Sequence, residues 1–370
     1  MDKLKAFFKK EPVLCIAAAL AAVSMPFVPP DAECLGYIDF KTLACLFCLM
    51  VSVKGLERNG ALNRVSLAIT GRLKTLRTLA FSLVFACFFF AMFVTNDVSL
   101  IAIIPIAFTM LSACGMESWS AFLIVLLSIA ANIGSSLTPI GNPQNLYLFT
   151  RYEIPLGEFL WTMLPIVAAG GASLALSCLF IPNLELSKAE TRLEEPLKKS
   201  GVVFYAALFL LSVLTVFGFV PYWAAAAALF LAVLIFDRKT LFTVDYSLLL
   251  TFVAIFLFVG NLARVESVHA FLSRITETNT LLTAILTSQA TSNVPAAILL
   301  SGFTDNAKEL LAGVNIGSLG TLIASMASVI SYKIYASVHK GQTGRYILLF
   351  SLWNLAFLVL LTALGFLLYR

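Results

Sequence analysis

The chain has 370 residues, of which 60% are hydrophobic and only 12% are charged, and its mean hydropathy is +0.94. Soluble domains carry about twice that share of charged residues, so the composition excludes a soluble protein and a disordered one. The net charge of +5 is small and the basic residues form no single patch, so we expect no nucleic-acid partner. This composition predicts a protein whose surroundings are the lipid bilayer.

Membrane-spanning helices are predicted wherever about 20 consecutive residues are apolar, because that length crosses a bilayer core of about 30 Å. The first such segment follows a basic N-terminus and has no small-residue cleavage site, so we expect it to be retained. About nine crossings are predicted, two of them interrupted: 12–28, 38–56, 118–149, 158–181, 201–219, 221–236, 245–260, 311–338 and 344–368.

Two further apolar stretches are expected to fold back on themselves as re-entrant hairpins. Residues 78–113 form an apolar run that is too long for one helix and is interrupted near its middle by Thr95-Asn96-Asp97. Residues 280–303 repeat this pattern around Ser292-Asn293-Val294-Pro295, with arms of roughly 11 and 8 residues that are too short to span. Such tips are tolerated at membrane depth only where they are buried in protein or line a wet cavity.

The basic residues predict the orientation of the chain, because short cytoplasmic loops are rich in Lys and Arg. With the N-terminus inside, most of the 25 Lys and Arg residues fall in the loops that this topology places in the cytoplasm. We therefore expect a multi-pass plasma-membrane protein with a cytoplasmic N-terminus. Because the predicted number of crossings is odd, the C-terminus is expected outside.

An internal repeat relates the two halves of the chain. The segment from Asn132 to Asn142 aligns without a gap with the segment from Asn315 to Ser325, 183 residues later (132 to 315), and both begin Asn-Ile-Gly-Ser. The two hairpin tips correspond in the same order. Because the first half is expected to start outside and the second inside, the repeats are predicted to be inverted, as in secondary transporters that bind their cargo at the membrane midplane.

The sequence therefore predicts an all-α polytopic membrane protein. It has two inverted-topology repeats, each with a re-entrant hairpin and a broken helix. The predicted boundaries are an N-terminal transmembrane helix over 1–37, repeat 1 over 38–182, a cytoplasmic linker with connecting helices over 183–244, and repeat 2 over 245–370.

The two polar breaks are predicted cation sites. Glycine and proline free backbone groups there, and each group costs several kcal/mol in hydrocarbon if it finds no partner. Carbonyl oxygens with Ser, Thr and Asn side chains suit a hard cation such as Na⁺, whereas half-helix N-termini suit an anion. A kink stabilised by neighbouring helices is the alternative interpretation. The candidate cation ligands are Asn132, Gly134, Ser135, Thr138, Gly141, Asn142 and Asn145 in the first break, and Asn315, Gly317, Ser318, Thr321 and Ser325 in the second.

Asp97 is the candidate coupling acid, because an isolated charge within an apolar run is costly. We expect it to be protonated or held against a cation; the alternative is an acidic cap for the helix that follows. Asp39 and Asp245 begin crossings, where N-capping is the better interpretation.

Enzymatic chemistry is not expected from this sequence. It contains no HExxH motif, no P-loop and no Ser/His pairing within the predicted membrane segments. The seven cysteines lack metal or disulfide spacing, so we expect no transition-metal site. Na⁺ or H⁺ is the only cofactor that the residues suggest.

The motifs Thr95-Asn96-Asp97-Val98, 132–145 and Ser292-Asn293-Val294-Pro295 occur in an order that resembles the ion transporter superfamily. This superfamily includes divalent-anion:sodium symporters, citrate-metal permeases, arsenite/antimonite permeases and NhaD-type sodium/proton antiporters. The resemblance covers 38–368 and is nearest to the short bacterial YbiR-like branch. It implies an elevator-type secondary transporter of the bacterial inner membrane, often a homodimer, whose moving domain carries the hairpins and broken helices.

The resemblance also implies roles for the hairpin tips. In the symporters both tips read Ser-Asn-Thr and hold substrate carboxylates, and sodium binds between each tip and its neighbouring break. Asp97 and Val294 replace the two threonines here, and a charged Asp97 would repel a dianion unless a proton or cation neutralised it. The implied substrate contacts are Thr95, Asn96, Asp97, Ser292, Asn293, Val294 and Pro295, and Asn96, Asp97 and Asn293 join the breaks as cation ligands.

The sequence and the resemblance together predict a secondary active transporter that moves a small anion or oxyacid, coupled to Na⁺ or H⁺. A Na⁺/H⁺ antiporter that uses Asp97 is the first alternative, and a passive channel or uniporter is the second.

Overall fold

The computed structural model describes residues 11–61, 64, 74–186, 198–339, 341 and 343–369, and over these residues the chain forms α-helices, short 3₁₀ turns and loops. The basic N-terminus before residue 11 and the charged part of the predicted linker, 187–197, lie outside the described residues. The helices in chain order are α1 (Pro12–Ser24), α2 (Phe40–Arg58), α3 (Leu76–Val94), α4 (Asn96–Ala113), α5 (Ser120–Ser135), α6 (Pro143–Arg151), α7 (Leu156–Cys178), α8 (Lys199–Val216), α9 (Tyr222–Leu241), α10 (Tyr246–Arg264), α11 (Glu266–Thr278), α12 (Thr280–Thr291), α13 (Asn293–Leu300), α14 (Ala307–Ile316), α15 (Met326–Val338) and α16 (Thr343–Tyr369).

Seven helices of the described part of the chain are long and apolar enough to cross a membrane. They are α3, α4, α5 with the 3₁₀ turn before it, α7, α8, α10 and α16. The predicted first crossing is shorter, since α1 has 13 residues, and α9 bends at Asp237, whose φ of −153° is not helical. The predicted all-helical polytopic architecture is confirmed, while the count of nine crossings stays a prediction.

Each apolar run that was expected to fold back forms two helices joined by one residue. Thr95 links α3 to α4 with φ 77° and ψ 152°, and Ser292 links α12 to α13 with φ 78° and ψ 154°. Both linked helix pairs pack against each other. This backbone region is normally reserved for glycine and costs of order 1–3 kcal/mol, so it persists only where surrounding contacts impose it.

The two helix pairs differ in length. The arms α12 and α13 have 12 and 8 residues, close to the expected short arms. By contrast, α3 and α4 have 19 and 18 residues and are each long enough to cross a bilayer by themselves. The re-entrant depth and the inverted orientation of the repeats stay predictions.

Both predicted helix breaks are present. The first separates α5 from α6, and the second separates α14 from α15. The helix after each break begins with a side-chain N-cap. Asn142 Oδ1 accepts a hydrogen bond from the backbone N–H of Asn145 at 2.9 Å at the start of α6. Ser325 Oγ accepts one from the backbone N–H of Ala327 at 3.2 Å at the start of α15. Pro143 at the first position of α6 needs no N–H partner, which suits a helix start.

The helices form two groups that meet at the breaks. In one group, α5 is buried along its whole length and packs against α3, α4, α7, α15 and α16. In the other, α2 packs against α8 and α9, and α10 packs against α1. The groups touch where α2 contacts α6 and where α10 contacts α13. This arrangement brings the first break and the second hairpin to the boundary between the groups.

Gly134, near the end of α5, permits a close approach of two backbones. A Cβ at this position would lie 2.0 Å from the carbonyl oxygen of Phe88 in α3. Gly134→Ala is therefore expected to lower the free energy of unfolding by about 3 kcal/mol, because the clash is with backbone that must shift. Thermal unfolding of the detergent-purified protein measures the effect.

Gly157→Ala is the matched control, because no heavy atom lies within 4 Å of a Cβ at that position in α7. This variant is expected to melt at or slightly above the wild-type temperature. Equal melting temperatures for the two variants would contradict the close packing of α5 on α3.

Candidate functional site: two hairpin tips and two helix breaks

Hydrogen bonds join the first tip to the first break. Asn96 begins α4 with its backbone N–H donating to the carbonyl of Gly141 at 3.2 Å. Thr138 Oγ1 donates to the carbonyl of Met92, in the last turn of α3. The Asn96 side-chain amide also donates to Asn132 Oδ1 at 3.4 Å. The tip and the break of the first half therefore form one unit.

The second tip and break are joined through Gln289, which sequence reasoning did not identify. Its Nε2 donates to the carbonyls of Gly317 and Leu319, both at 2.8 Å. Its Oε1 accepts from the backbone N–H of Thr321 at 2.9 Å. The signal in the sequence is that Gln289 is the single glutamine of the arm α12, whose other polar residues are Thr and Ser.

One contact recurs in both halves. Met92 and Gln289 hold the same position, three residues before the residue with positive φ. The backbone carbonyl of each accepts a hydrogen bond from the threonine of the adjacent break, Thr138 for Met92 and Thr321 for Gln289. The alignment of the two breaks pairs these same threonines.

Asn132 in the first break bonds to the second half of the chain. Its Oδ1 accepts from Ser325 Oγ at 2.8 Å. Its Nδ2 lies 3.4 Å from Ser328 Oγ and 3.5 Å from the carbonyl of Ser318. The first break is therefore held against the second by a buried asparagine.

Asn315 makes the reciprocal contacts to the first half. Its Oδ1 accepts from Asn142 Nδ2 at 3.2 Å, and its Nδ2 donates to Asn145 Oδ1 at 2.6 Å. The spacing that relates Asn132 to Asn315 also relates positions 142 to 325 and 145 to 328. Each asparagine thus contacts the same two positions of the opposite half, and all of these side chains are buried.

Side-chain amides satisfy much of the backbone that the breaks leave free. Asn145 Nδ2 lies 3.1–3.3 Å from the carbonyls of Ser135, Ser136 and Thr138. Gln289 does the same for two carbonyls of the second break. The protein itself therefore supplies donors for these carbonyls, and the predicted cation is not their sole partner.

Asp97 lies at a cavity of about 190 Å³ between the two helix groups. Its Oδ1 is buried and has no hydrogen-bond partner among the described residues. Its backbone N–H donates to Asn96 Oδ1 at 2.9 Å, and no side chain caps α4. The cavity is also lined by Thr95, Asn96, Asn142, Lys54, Glu57 and Asp245. Asp97 thus lines a small cavity, with one buried carboxylate oxygen unpaired among the described residues.

Asp39 and Asp245 have the capping geometry that the sequence predicts. Asp39 Oδ1 accepts from the backbone N–H of Thr42 at 2.9 Å. Asp245 Oδ1 accepts from those of Ser247 and Leu248, at 3.1 and 3.3 Å. Of the three candidate acids, Asp97 alone is without such partners among the described residues.

The second tip is separate from the Asp97 cavity. Ser292, Asn293 and Val294 are buried, and Ser292 Oγ lies 3.4 Å from the carbonyl of Ala324 in the second break. None of these residues, and not Pro295, lines the cavity. The structure brings the first tip and the first break together at the cavity. The second break contacts the first break through Asn132 and Asn315, and the second tip packs on the second break.

A second cavity, of about 480 Å³, lies at the other end of α2, between the 3₁₀ turn Ala32–Tyr37, α6, α10 and α13. Tyr147 and Arg151 of α6 line it together with Ser301, and Tyr147 shares a 2.7 Å hydrogen bond with Ser301. Next to the cavity, Arg264 pairs with Asp31 at 2.6 Å and holds the pKa of that carboxyl below its usual value.

Asn315→Ala tests the reciprocal contacts. The change leaves Asn145 Oδ1 unpaired among the described residues, at a cost of about 1–3 kcal/mol for a buried group. It also removes one of the two acceptors of Asn142 Nδ2, which keeps its 3.2 Å bond to Ser135 Oγ. We expect a clear fall in melting temperature, and a similar fall for Asn132→Ala.

Asn354→Ala serves as the control, since this buried asparagine of α16 has an Oδ1 without a partner in the described residues. A fall as large as that of Asn315→Ala would show that the contacts between halves contribute nothing specific.

Comparison with known proteins places the fold among transporters. The family model of the citrate transporter family CitMHS matches residues 6–330. The uncharacterized transporter MJ0456 of Methanocaldococcus jannaschii is 35% identical over 337 residues, which cover 90% of each chain. The inner membrane protein YbiR of Escherichia coli is 31% identical over 313 residues, covering 84% of this chain and 83% of YbiR.

Two more distant likenesses agree with this assignment. The silicon efflux transporter LSI3 of rice, Oryza sativa, is 29% identical over 150 residues, 40% of this chain and 30% of LSI3. The crystal structure of the YdaH transporter of Alcanivorax borkumensis superposes with a TM-score of 0.54 at 14% identity, covering 98% of this chain and 96% of YdaH, which shows a shared fold. The resemblance to the ion transporter superfamily is confirmed: the chain belongs to the CitMHS citrate transporter family and is a multi-pass membrane protein of the transporter class.

Proposed function

We propose that the chain is a secondary active transporter of the elevator type, which moves a small anion or oxyacid coupled to Na⁺ or H⁺. The observation that carries this proposal is the Asp97 carboxylate, which has a buried oxygen without a partner among the described residues and lines a cavity beside the first break. A charge in such surroundings is costly unless a proton or cation neutralises it. Asp97 is therefore the proposed coupling acid.

The charges around the cavity favour binding of a cation before an anion. Asp245 adds a second carboxylate, and Lys54 is already paired with Glu57 at 2.9 Å. An anion that enters this space without a cation meets net negative charge. Neutralisation of Asp97 by H⁺ or Na⁺ removes that repulsion, so cation and anion are expected to bind cooperatively.

The proposed cation site lies between the first tip and the first break. Asn96 and Asp97 supply side-chain oxygens, and the neighbouring break supplies Asn132, Asn142 and backbone carbonyls, which are hard ligands that suit Na⁺. The second half has Val294 in place of the acid. Coupling is therefore proposed to be asymmetric, with the charged step in the first half.

The substrate class is inferred from both tips. Amide and hydroxyl groups at Asn96, Asn293, Thr95 and Ser292 suit an oxygen-rich ligand. Val294 and Asp97 remove two hydroxyls relative to the dicarboxylate symporters, which favours a smaller or less charged ligand than citrate. The rice relative is named for silicon efflux, and silicon in water is an oxyacid.

Elevator motion is supported by the contacts between halves. The reciprocal bonds of Asn132 and Asn315 tie both breaks into one body, whereas α1, α2, α8, α9 and α10 pack separately. A body held in this way moves as a unit past the second helix group. We further propose that the protein forms a homodimer in the inner membrane, with a cytoplasmic N-terminus and an external C-terminus. The Escherichia coli relative is named an inner membrane protein, which supports this location.

A Na⁺/H⁺ antiporter is the second candidate, and the same Asp97 geometry favours it. In that case Asp97 exchanges the two ions directly and no anion binds. A passive channel or uniporter is the third, and accumulation against a gradient would exclude it.

Asp97→Asn tests the coupling acid. In the wild type, raising the pH removes the competing proton from Asp97, so stabilisation of the protein by Na⁺ is expected to increase with pH. The asparagine cannot titrate, so this pH dependence is expected to vanish while the protein stays folded. Melting temperatures with Na⁺ or K⁺ at several pH values measure it.

Asp245→Asn is the matched control, because it removes another carboxylate of the cavity and asparagine still caps α10. It is expected to keep the pH dependence. Unchanged pH dependence in Asp97→Asn would exclude Asp97 as the coupling acid.

Asn96→Ala and Asn293→Ala test the paired tips. Each is expected to weaken ligand or cation binding at least about tenfold, because each removes one hydrogen-bonding amide worth about 1.4 kcal/mol. Binding is measured as thermal stabilisation against ligand concentration. Asn59→Ala, at the end of α2, is the control. Retained affinity in both tip variants would exclude a site shared by the two tips.

A further inference from the structure

Gln144 is a buried residue of the first break region whose side-chain amide takes no part in the hydrogen bonds described above. It is 1% exposed. Neither its Nε2 nor its Oε1 has a hydrogen-bond partner among the described residues. Burying an amide in this way costs about 1–3 kcal/mol for each unsatisfied group. A residue that contributed only to stability would be more favourable as leucine or methionine.

Gln144 lies within the site in sequence and in space. It is the second residue of α6, between Asn142 and Asn145, both of which bond to Asn315 of the opposite half. These two neighbours have assigned partners. Gln144 therefore lies where the first break ends and α6 begins, with its own amide available.

The helix face of Gln144 leads to the larger cavity. Tyr147 and Arg151 follow at three and seven residues, which places the three side chains along one face of α6. Arg151 is exposed and Tyr147 is buried, and both line the 480 Å³ cavity. The polar groups thus form a series from the cavity mouth to the break, with Gln144 deepest.

The second hairpin borders the same face. The hydrogen bond between Tyr147 and Ser301 fixes α6 to the end of α13, whose first residue is Asn293 of the second tip. Gln144 itself lines neither of the two cavities described above. Contact between its amide and a ligand therefore requires movement of the groups around α6.

We propose that Gln144 is a ligand of the transported molecule, and that this molecule presents a hydroxyl donor beside an oxygen acceptor. The proposal rests on the transport function proposed above. The chemistry follows from the amide: Na⁺ satisfies only Oε1, and a fully ionised carboxylate satisfies only Nε2. A protonated oxyacid or a hydroxy acid satisfies both groups at once.

Gln144→Met tests the proposal, because methionine has the same chain length and no hydrogen-bonding amide. The probes are arsenous, boric and silicic acids, which carry hydroxyl groups and are uncharged at neutral pH, and sulfate and succinate, which carry none in their ionised forms. Thermal stabilisation is measured for each probe with Na⁺ and with K⁺.

The wild type is expected to be stabilised by at least one hydroxyl-bearing probe. In Gln144→Met the apparent affinity for that probe is expected to fall at least tenfold, while the melting temperature without ligand stays equal or rises. Asn354→Leu, which removes another buried amide with an unpartnered oxygen, is the control and is expected to keep wild-type affinity. This combination separates ligand binding from a structural role.

Three results would overturn the inference. Wild-type affinity in Gln144→Met would exclude Gln144 as a ligand while leaving the proposed function intact. A large fall in the melting temperature of the ligand-free variant would show that Gln144 has a structural partner, such as a buried water. If no oxyacid or anion stabilised the wild type, the inference and the proposed function would both fail.

Gln144→Glu adds a second readout. A protonated glutamic acid both donates and accepts, whereas the ionised form only accepts. Relative to the wild type at the same pH, probe binding to this variant is expected to recover as the pH is lowered, and this relative recovery is not expected if Gln144 only fills space.

Discussion

The whole site depends on one constraint: in a membrane interior, every backbone group that a broken helix sets free must find a partner within the protein. Asn145 meets this constraint in the first break and Gln289 in the second. Because amide side chains perform this task, the breaks are stable without filling the space with apolar residues. Polar groups are therefore retained at the positions where we propose that a cation and a substrate bind.

The same constraint explains why the two halves are interlocked. The side-chain amides of Asn132 and Asn315 form hydrogen bonds with the opposite half of the chain. Each amide contacts the same two aligned positions of the opposite break. Loss of one contact leaves buried polar groups on both sides, so the two breaks are expected to keep a fixed geometry. Such a body is suited to carrying a bound ion between two positions without rearranging its ligands.

The two halves differ at the third position of their hairpin tips. Asp97 has no acidic counterpart, because Val294 holds the matching position. A single acid provides one place for a proton or cation to compete. A dianionic substrate would meet a negative site in the absence of that cation, and this links the charge of the substrate to the occupancy of Asp97.

Local signals in the sequence predicted the local features. The two polar segments predicted the helix breaks, and Asp39 and Asp245 were predicted as caps. The positions of both tips follow from polar interruptions in apolar runs. The contacts from Asn132 to Ser325 and Ser328 join residues almost 200 positions apart, and no periodicity encodes them. No length was predicted for the arms α3 and α4, because continuous apolar sequence does not show how deep a hairpin reaches.

Gln144 shows a different limit of sequence reasoning. It lies in the polar motif 132–145 but was not among the predicted cation ligands. Its burial without a partner among the described residues distinguishes it from Asn142 and Asn145. The central claim, a site in which cation and substrate depend on each other, is tested most directly by linkage. The measurement is the apparent affinity of the wild-type protein for its best-binding oxyacid or anion at several Na⁺ concentrations and pH values. We predict that the affinity rises with Na⁺ or with falling pH; an affinity that is the same under all conditions would contradict the account.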